Sequence, residues 1–210
     1  REAPGAKDER ELLFAALADA TKFFQQTLND RPDVLQYLER RGITAAIVSE
    51  WSIGYAPREW GELKAHLLKS GYNELILEKA GLIKSPDSTE RPKDRVIRTY
   101  DRFRGRIMFP IFDVTGKVIA FSGRIFEDDP GHPQAKYLNS PETSVFDKSR
   151  ALYGIHRART GIRELHSAML VEGQVDLLMA HAVGYRNAVA TSGTAFTDAH
   201  AQLLKRYSPN

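Results

Sequence analysis

One carboxylate in this chain, Glu172, directly follows a short apolar run that is typical of a strand. Residues 166–171 are mostly apolar, which predicts a strand suited to burial on both faces, and Gly173 interrupts the pattern. Apolar residues then recur over 175–182 at helical spacing, and residues 187–191 predict a second strand. Such a unit almost always closes as a right-handed parallel crossover, with ligands bound at the carboxyl ends of its strands. Glu172 therefore lies where such sheets bind ligands, although position alone favours a solvated loop acid.

Two strand ends would bring further small polar groups to the same crevice. Thr191 and Gly193 follow the second predicted strand, where a hydroxyl and a bare backbone amide could contact phosphate, although such residues are also common in loops. Asp176 lies in the first turn of the predicted helix, where a negative charge complements the helix dipole whether or not it has another role.

A second chemical feature is an arginine-rich segment, residues 91–106. It holds seven arginine and lysine residues against two aspartates, a net charge of +5, in a chain whose total is +3. Arginine predominates, and its planar guanidinium can bind two phosphate oxygens at once. The segment therefore indicates phosphate binding, with Arg102, Arg104 and Arg106 as candidate ligands, and a solvated charged loop is the alternative.

Further along the chain, cationic and aromatic residues alternate in a way that suits a nucleic acid. Arg124 lies near the end of a predicted strand, where an exposed edge arginine would be ordinary. Lys136, Tyr137 and Asn139 could stack on a base and bind backbone phosphate, although Tyr137 could equally be a core residue. Lys148 adds charge nearby.

The elements that must position these residues are helical at first and then β-rich. The predicted helices span 11–28, 33–41, 44–51, 60–69 and 73–81, and Thr197 caps a last one. A hairpin is predicted from strands 107–112 and 118–126, with loops at 82–98 and 127–134. The expected division is a linker remnant over 1–10, an α+β subdomain over 11–164 and an α/β part over 165–210.

Composition excludes several classes. The chain of 210 residues has no cysteine, which excludes disulfides and Cys-ligated zinc, and its six histidines lack metal-site spacing. No window approaches the roughly 18 apolar residues of a membrane span, and neither a signal peptide nor a glycine-rich phosphate loop is visible. We expect a cytoplasmic protein without membrane contact. Because the chain starts at Arg1, we also expect a piece of a longer protein.

Two motifs near the end of the chain resemble the first half of a Toprim domain, the module shared by primases and topoisomerases. They are residues 169–176 (MLVEGQVD) and 190–194 (ATSGT). Upstream, four motifs in the right order resemble the catalytic core of bacterial DnaG-type primases: 100–110 (YDRFRGRIMFP), 123–124 (GR), 136–143 (KYLNSPET) and 152–154 (LYG). The resemblance runs from about residue 10 to the last residue.

This resemblance implies an α+β fold in which a helical and β-hairpin subdomain precedes the opening half of an α/β Toprim fold with parallel strands. It implies synthesis of short RNA primers on single-stranded DNA from ribonucleoside triphosphates, with Mg²⁺ or Mn²⁺ and an RNA–DNA hybrid as product. Glu172 would organise metal or move a proton. Template or nucleotide would be bound by Arg102, Arg104, Arg106, Arg124, Lys136, Tyr137, Asn139, Lys148, Asp176, Thr191 and Gly193. The family's zinc-binding domain and its domain for the replicative helicase are not in this sequence.

The chain departs from the family pattern in one respect. The family carries an Asp-x-Asp pair after a third Toprim strand, whereas the only acid after Thr191 is Asp198, at a predicted helix start. We therefore expect half a metal site and no primer synthesis by these residues alone. Two alternatives stay open: a single-stranded-DNA-binding module without activity, and part of another Toprim enzyme such as a nuclease or topoisomerase.

Overall fold

The computed structural model describes residues 6–85, 99–127, 135–191, 193 and 195–208. The helices in these ranges are α1 (Ala6–Asn29), α2 (Pro32–Arg40), α3 (Ala45–Glu50), α4 (Glu62–Lys69), α5 (Glu74–Lys79), α6 (Ile155–Leu165), α7 (Gln174–Ala182) and α8 (Asp198–Lys205). The strands are β1 (Gly54–Ala56), β2 (Ile83–Lys84), β3 (Tyr100–Asp101), β4 (Arg106–Phe112), β5 (Val118–Ile125), β6 (Tyr137–Asn139), β7 (Met169–Val171) and β8 (Ala188–Ala190). Most of the two predicted loops, residues 86–98 and 128–134, lies outside the described residues.

The largest sheet is antiparallel and has the order β1-β4-β5-β6. The predicted hairpin forms its centre, because the Asp113 side chain accepts hydrogen bonds from backbone N–H groups of its own turn. Side chains alternate between the two faces of the sheet. Met108 and Phe121 belong to the core with α1, α4 and α5, whereas Ile107 and Phe109 belong to the core with α2 and α7. The sheet therefore separates two layers of helices.

The helix boundaries follow the predicted caps. Thr44, Asn73 and Thr197 each accept a hydrogen bond from the backbone N–H three residues further on, which satisfies one free donor at the helix start. Gly42 has φ of 80°, the left-handed conformation expected after α2. The helix α1 begins at Ala6, so residues 6–10 of the expected linker remnant are helical. No helix among the described residues combines the length and apolarity of a membrane span.

The strand–helix–strand unit at the end of the chain is confirmed as a parallel pair, β7 and β8, joined by α7. Its first strand is shorter and more exposed than predicted. Only residues 169–171 are extended, and Leu170 is 46% exposed, so burial on both faces was wrong. The reason is that β7 is an edge strand in the described part of the chain, with β8 as its one strand neighbour.

A helix that the sequence reasoning missed, α6, joins this unit to the rest. Its buried side chains share a small core with Val189 of β8. Just before it, Tyr153 and Ala190 exchange two backbone hydrogen bonds, so the second edge of β8 is held by the preceding segment. These contacts make the β7–α7–β8 unit continuous with the large core. The division at residue 164 stays a prediction.

Two imidazoles lie at this junction against one indole ring. The ring centroids of His156 and His181 lie 5.8 and 5.0 Å from that of Trp51, and Phe112 lies 4.4 Å from His156. Burial lowers the pKa of His156 to about 4 and also lowers that of His181, because the charged imidazole loses its hydration. Both rings therefore fold in the neutral form.

This arrangement predicts acid destabilisation. Below pH 6.5 the unfolded chain binds a proton at His156, whereas the folded protein does so only near pH 4, so stability is lost as the pH falls through this window. The buried carboxyl of Asp101 opposes the trend, since burial raises its pKa to about 6 and it gains stability on acidification. We expect His156→Phe to lose less stability than the wild type between pH 7 and 4.5 in urea unfolding. If the free energies of unfolding of the variant and the wild type changed in parallel with pH, His156 would not be buried in its neutral form.

Candidate nucleic-acid interface

A buried guanidinium stacked between tyrosine rings lies at the edge of the large sheet. Arg124 is only 9% exposed, although arginine is rarely buried without an acidic partner. Its Cζ lies 5.9 Å from the ring centroid of Tyr37 on α2 and 5.6 Å from that of Tyr137 on β6. Its Nη1 donates to the Tyr137 hydroxyl at 3.0 Å. In the described part of the chain Arg124 forms no ion pair, so the rings stabilise its charge and an anion would complete the site.

The same edge carries most of the predicted polar residues. Tyr137 pairs with Arg124 across the sheet, and the backbone N–H of Ile125 donates to Lys136, so these residues are in register. Arg102 reaches them from outside the sheet, where its Nη2 lies 3.3 Å from the backbone oxygen of Asn139. Burial lowers the pKa of Arg102 from its ordinary value. The structure therefore brings these predicted residues together around β6, a short strand that the sequence reasoning did not identify.

Arg106 is the clearest correction among the site residues. Its side chain is 2% exposed and lies inside the sheet, where Nη1 donates to the backbone oxygens of Gly123 and Ala135 at 3.0 Å each. It shares a face with Met108, because β4 alternates, and so it faces the core with α1 rather than solvent. Arg106 thus joins β4 to β5 and to the start of β6, and it is not available to phosphate.

Arg104 lies at a second, separate aromatic site. Its Cζ stands 3.9 Å from the centroid of Trp60 and 4.8 Å from that of Tyr100, and Trp60 is 45% exposed. Asp101 holds the segment before Arg104 against α4, because its carboxylate accepts hydrogen bonds from the backbone N–H groups of Leu63 and Lys64 at the start of that helix. An exposed indole with a guanidinium on its face suits stacking against an unpaired base.

Glu172 lies exposed directly after β7, as predicted. The pairing of Val171 with Ala190 places Glu172 and Thr191 at neighbouring strand ends, and Gly193 follows with φ of 85°. Asp176 has a structural role that the sequence already suggested: its Oδ2 accepts from the Gly173 N–H at 3.2 Å. The structure thus assembles the strand-end crevice.

The donor chemistry of this crevice fits part of a magnesium site. Mg²⁺ usually takes one or two carboxylates together with phosphate oxygens and water, and Glu172 offers one such carboxylate. Among the described residues, no three acidic or histidine side chains lie close enough together to hold a metal ion. Glu172 could therefore share a metal ion with a phosphate but could not enclose it.

Lys148 is held near the start of the last helix. The buried His200 uses Nε2 to donate to the backbone oxygen of Lys148 and accepts from the Thr197 N–H through Nδ1, so its tautomer is defined. Thr197 also donates to Ser149. Lys148 therefore belongs to the part of the molecule that contains β8 and α8.

The sequence reasoning missed three residues of these surfaces, Tyr37, Arg41 and Trp60. The Arg41 Cζ lies 5.1 Å from the Tyr37 ring centroid. A tyrosine and an arginine four positions apart at the end of a helix were a usable signal, since such pairs lie on one face. Trp60 carried no signal, because a single tryptophan before a predicted helix is compatible with core or surface.

The helical and antiparallel-sheet part carries the cationic, aromatic edge, and it is continuous with a parallel unit that ends in an acid. Together they form an α+β fold with a candidate nucleic-acid interface. The chain belongs to the family of DNA primase catalytic cores: the model of the DNA primase catalytic core N-terminal domain matches residues 23–159. A Toprim-like family model matches residues 169–210. The predicted resemblance and fold class are thereby confirmed.

Individual relatives agree with this assignment. The DNA primase of Pseudomonas aeruginosa is 40% identical over 204 residues, which cover 94% of this chain and 29% of the relative. The crystal structure of the RNA polymerase domain of Mycobacterium tuberculosis primase DnaG, in complex with double-stranded DNA, is 36% identical with a TM-score of 0.85; the match covers 95% of this chain and 60% of that one. A DnaG primase catalytic domain bound to single-stranded DNA is 36% identical with a TM-score of 0.80, covering 96% and 60%. The chain thus spans less than a third of the curated relative's length.

Proposed function

We propose that this chain forms the template- and nucleotide-binding part of a DNA primase, which synthesises short RNA primers on single-stranded DNA from ribonucleoside triphosphates. The observation that carries the proposal is the buried Arg124, stacked between Tyr37 and Tyr137 and without an acidic partner in the described part of the chain. A phosphate group is the anion that this family of enzymes handles, and guanidinium is its usual partner. Membership of the primase core family supports primer synthesis over a nuclease or topoisomerase.

The position of Arg124 relative to the strand-end acid supports the same conclusion. Arg124 pairs with Ile107, whose side chain lies in the core shared with Ala190 and Leu177 of the parallel unit. Arg124 is therefore on the sheet face that bears the β7–α7–β8 unit, and Glu172 projects from the end of that unit. A nucleotide phosphate held by Arg124 would be on the acid's side of the sheet.

In the proposed mechanism the described residues divide the work. Arg124, Arg102, Arg104 and Lys136 bind phosphate groups of the template or incoming nucleotide. Trp60 stacks on an unpaired template base. Glu172 would help to hold Mg²⁺ or Mn²⁺ through its carboxylate, and such an ion would neutralise charge on the reacting phosphate. Thr191 and Gly193 would offer a hydroxyl and a backbone amide beside it. A replicative helicase and the hybrid product are the partners implied for the full-length protein.

The test is incorporation of labelled ribonucleotides on a single-stranded DNA template by the full-length protein, with Mg²⁺ or Mn²⁺. Template-dependent synthesis that stops after Arg124→Gln would support the proposal. DNA binding without any incorporation would favour the second candidate, a single-stranded-DNA-binding module, for which the exposed Trp60 is the specific observation.

The salt dependence of DNA binding gives a quantitative prediction. If about four phosphates are engaged, log affinity for single-stranded DNA falls with log salt at a slope near −3, from about −0.7 per phosphate. Arg104→Gln combined with Arg124→Gln removes two contacts, so we expect a slope of about −1.5. Arg163→Gln, an exposed arginine on α6, is the matched control and should leave the slope unchanged. An unaltered slope in the double variant would mean that neither arginine contacts phosphate.

A further inference from the structure

Among the described residues, Tyr37 is the one ring that two arginines share. It lies half-buried on α2, with the Arg41 Cζ 5.1 Å and the Arg124 Cζ 5.9 Å from its centroid. Arg41 follows the end of α2 and is exposed, whereas Arg124 comes from β5 and is buried. The ring thus connects a cation on the helix layer with a cation on the sheet.

The orientation of this ring is fixed from the sheet. Phe126 meets Tyr37 edge to face, with centroids 5.4 Å apart and planes at 71°. The backbone N–H of Phe126 donates to Gly105, so the phenyl ring is anchored to the start of β4. A ring packed in this way cannot turn to follow one arginine without losing the other.

Each guanidinium lies over the electron-rich ring, which stabilises its positive charge. Neither Arg41 nor Arg124 forms an ion pair within the described residues. Both cations are therefore available to a negatively charged group, and phosphate is the usual anionic partner of a guanidinium.

Building on the function proposed above, we infer that Tyr37 is a positioning residue: its ring orients Arg124, and with it Arg41, toward a phosphate group. The phosphate could belong to the DNA backbone or to the nucleoside triphosphate. Tyr37 itself does not touch the reacting atoms and acts through Arg124 and Arg41.

The experiment is a double-mutant cycle in the full-length protein with Tyr37→Leu, Arg124→Gln and the combined variant. It measures the Kd for a single-stranded oligonucleotide and, separately, the KM and kcat for the nucleoside triphosphate. Tyr37→Leu should weaken one of the two ligands about tenfold with little change in kcat, and the ligand affected identifies the source of the phosphate. In the Arg124→Gln background, Tyr37→Leu should weaken binding of the same ligand by no more than about threefold, because the arginine that Tyr37 positions is already absent.

Two further variants separate positioning from packing. Tyr37→Phe keeps the ring and should stay within about twofold of the wild type, and Tyr37→Met fills the space without a ring if the leucine variant folds poorly. Tyr72→Leu replaces another half-buried tyrosine, which packs on the opposite face of the sheet, and should leave both ligands unaffected. Equal effects of Tyr37→Leu with and without Arg124 would overturn the positioning role. If Arg124→Gln bound both ligands as tightly as the wild type, the proposed function would be overturned instead.

Discussion

Replacing Glu172 with glutamine in the full-length protein should lower ribonucleotide incorporation by at least about a hundredfold, the usual scale for losing a positioned acid–base group. The change keeps the size of the side chain and its place after β7 but removes the charge. A carboxylate that binds a metal ion or accepts a proton cannot be replaced by a neutral amide. The measurement is the rate of labelled nucleotide incorporation on a single-stranded template.

The Glu172→Gln variant should keep the stability and the DNA binding of the wild type. Glu172 is exposed, and exposed substitutions away from packing rarely change the free energy of unfolding by more than about 0.5 kcal/mol. Binding to single-stranded DNA should persist, because the cationic edge around Arg124 lies on other elements. Glu164→Gln, an exposed acid near the end of α6, is the matched control and should retain activity. Synthesis by Glu172→Gln within a few-fold of wild type would remove Glu172 from the mechanism.

Helix starts and turns were predictable from sequence where a side chain hydrogen-bonds to backbone groups a few residues away. The helix starts at Thr44, Asn73 and Thr197 follow from one hydroxyl or amide oxygen that accepts a nearby N–H, so sequence alone suffices. The hairpin around Asp113 follows from the same local chemistry. The short strands β1 and β6 were not predictable in this way, since three residues become a strand only when a distant partner supplies the hydrogen bonds.

The residues of the candidate site differ in the same way: some are placed by local contacts and others by distant ones. Glu172 could be placed from sequence because its position depends on one strand and the turn after it. The roles of the arginines could not, because Arg106 lies in β4 and faces the core, whereas Arg104 lies before the strand, where Gly105 with φ of 60° turns the backbone. Arg104 reaches an exposed indole, whereas Arg106 lies in the core. Net charge along a segment indicates the ligand class but not which cations reach the ligand.

The burial of Arg106 leads to the second large effect, on stability rather than on DNA. Arg106→Met keeps an unbranched chain against Met108 but removes the donor that Gly123 and Ala135 share. Gly123 is buried, whereas Ala135 is exposed and its carbonyl can bind water instead. A buried acceptor left unsatisfied costs about 1–3 kcal/mol, so we expect a loss of this size. For a protein of this size that corresponds to a fall in Tm of about 2–12 °C.

Arg104→Met is the control for this prediction, since it removes the same group two residues away. It should lower Tm little and reduce the salt slope of DNA binding by about 0.7, whereas Arg106→Met should lower Tm and leave the slope of the folded protein unchanged. The pair is measured by thermal unfolding and by DNA titration at several salt concentrations below the lower Tm. If Arg106→Met melted like the wild type and lost salt dependence, Arg106 would be a phosphate ligand after all. If Arg106→Met lowered Tm and Arg104→Met lowered the salt slope, one arginine-rich segment would serve two purposes. Arg104 would bind the ligand, and Arg106 would connect β4, β5 and β6 in the core.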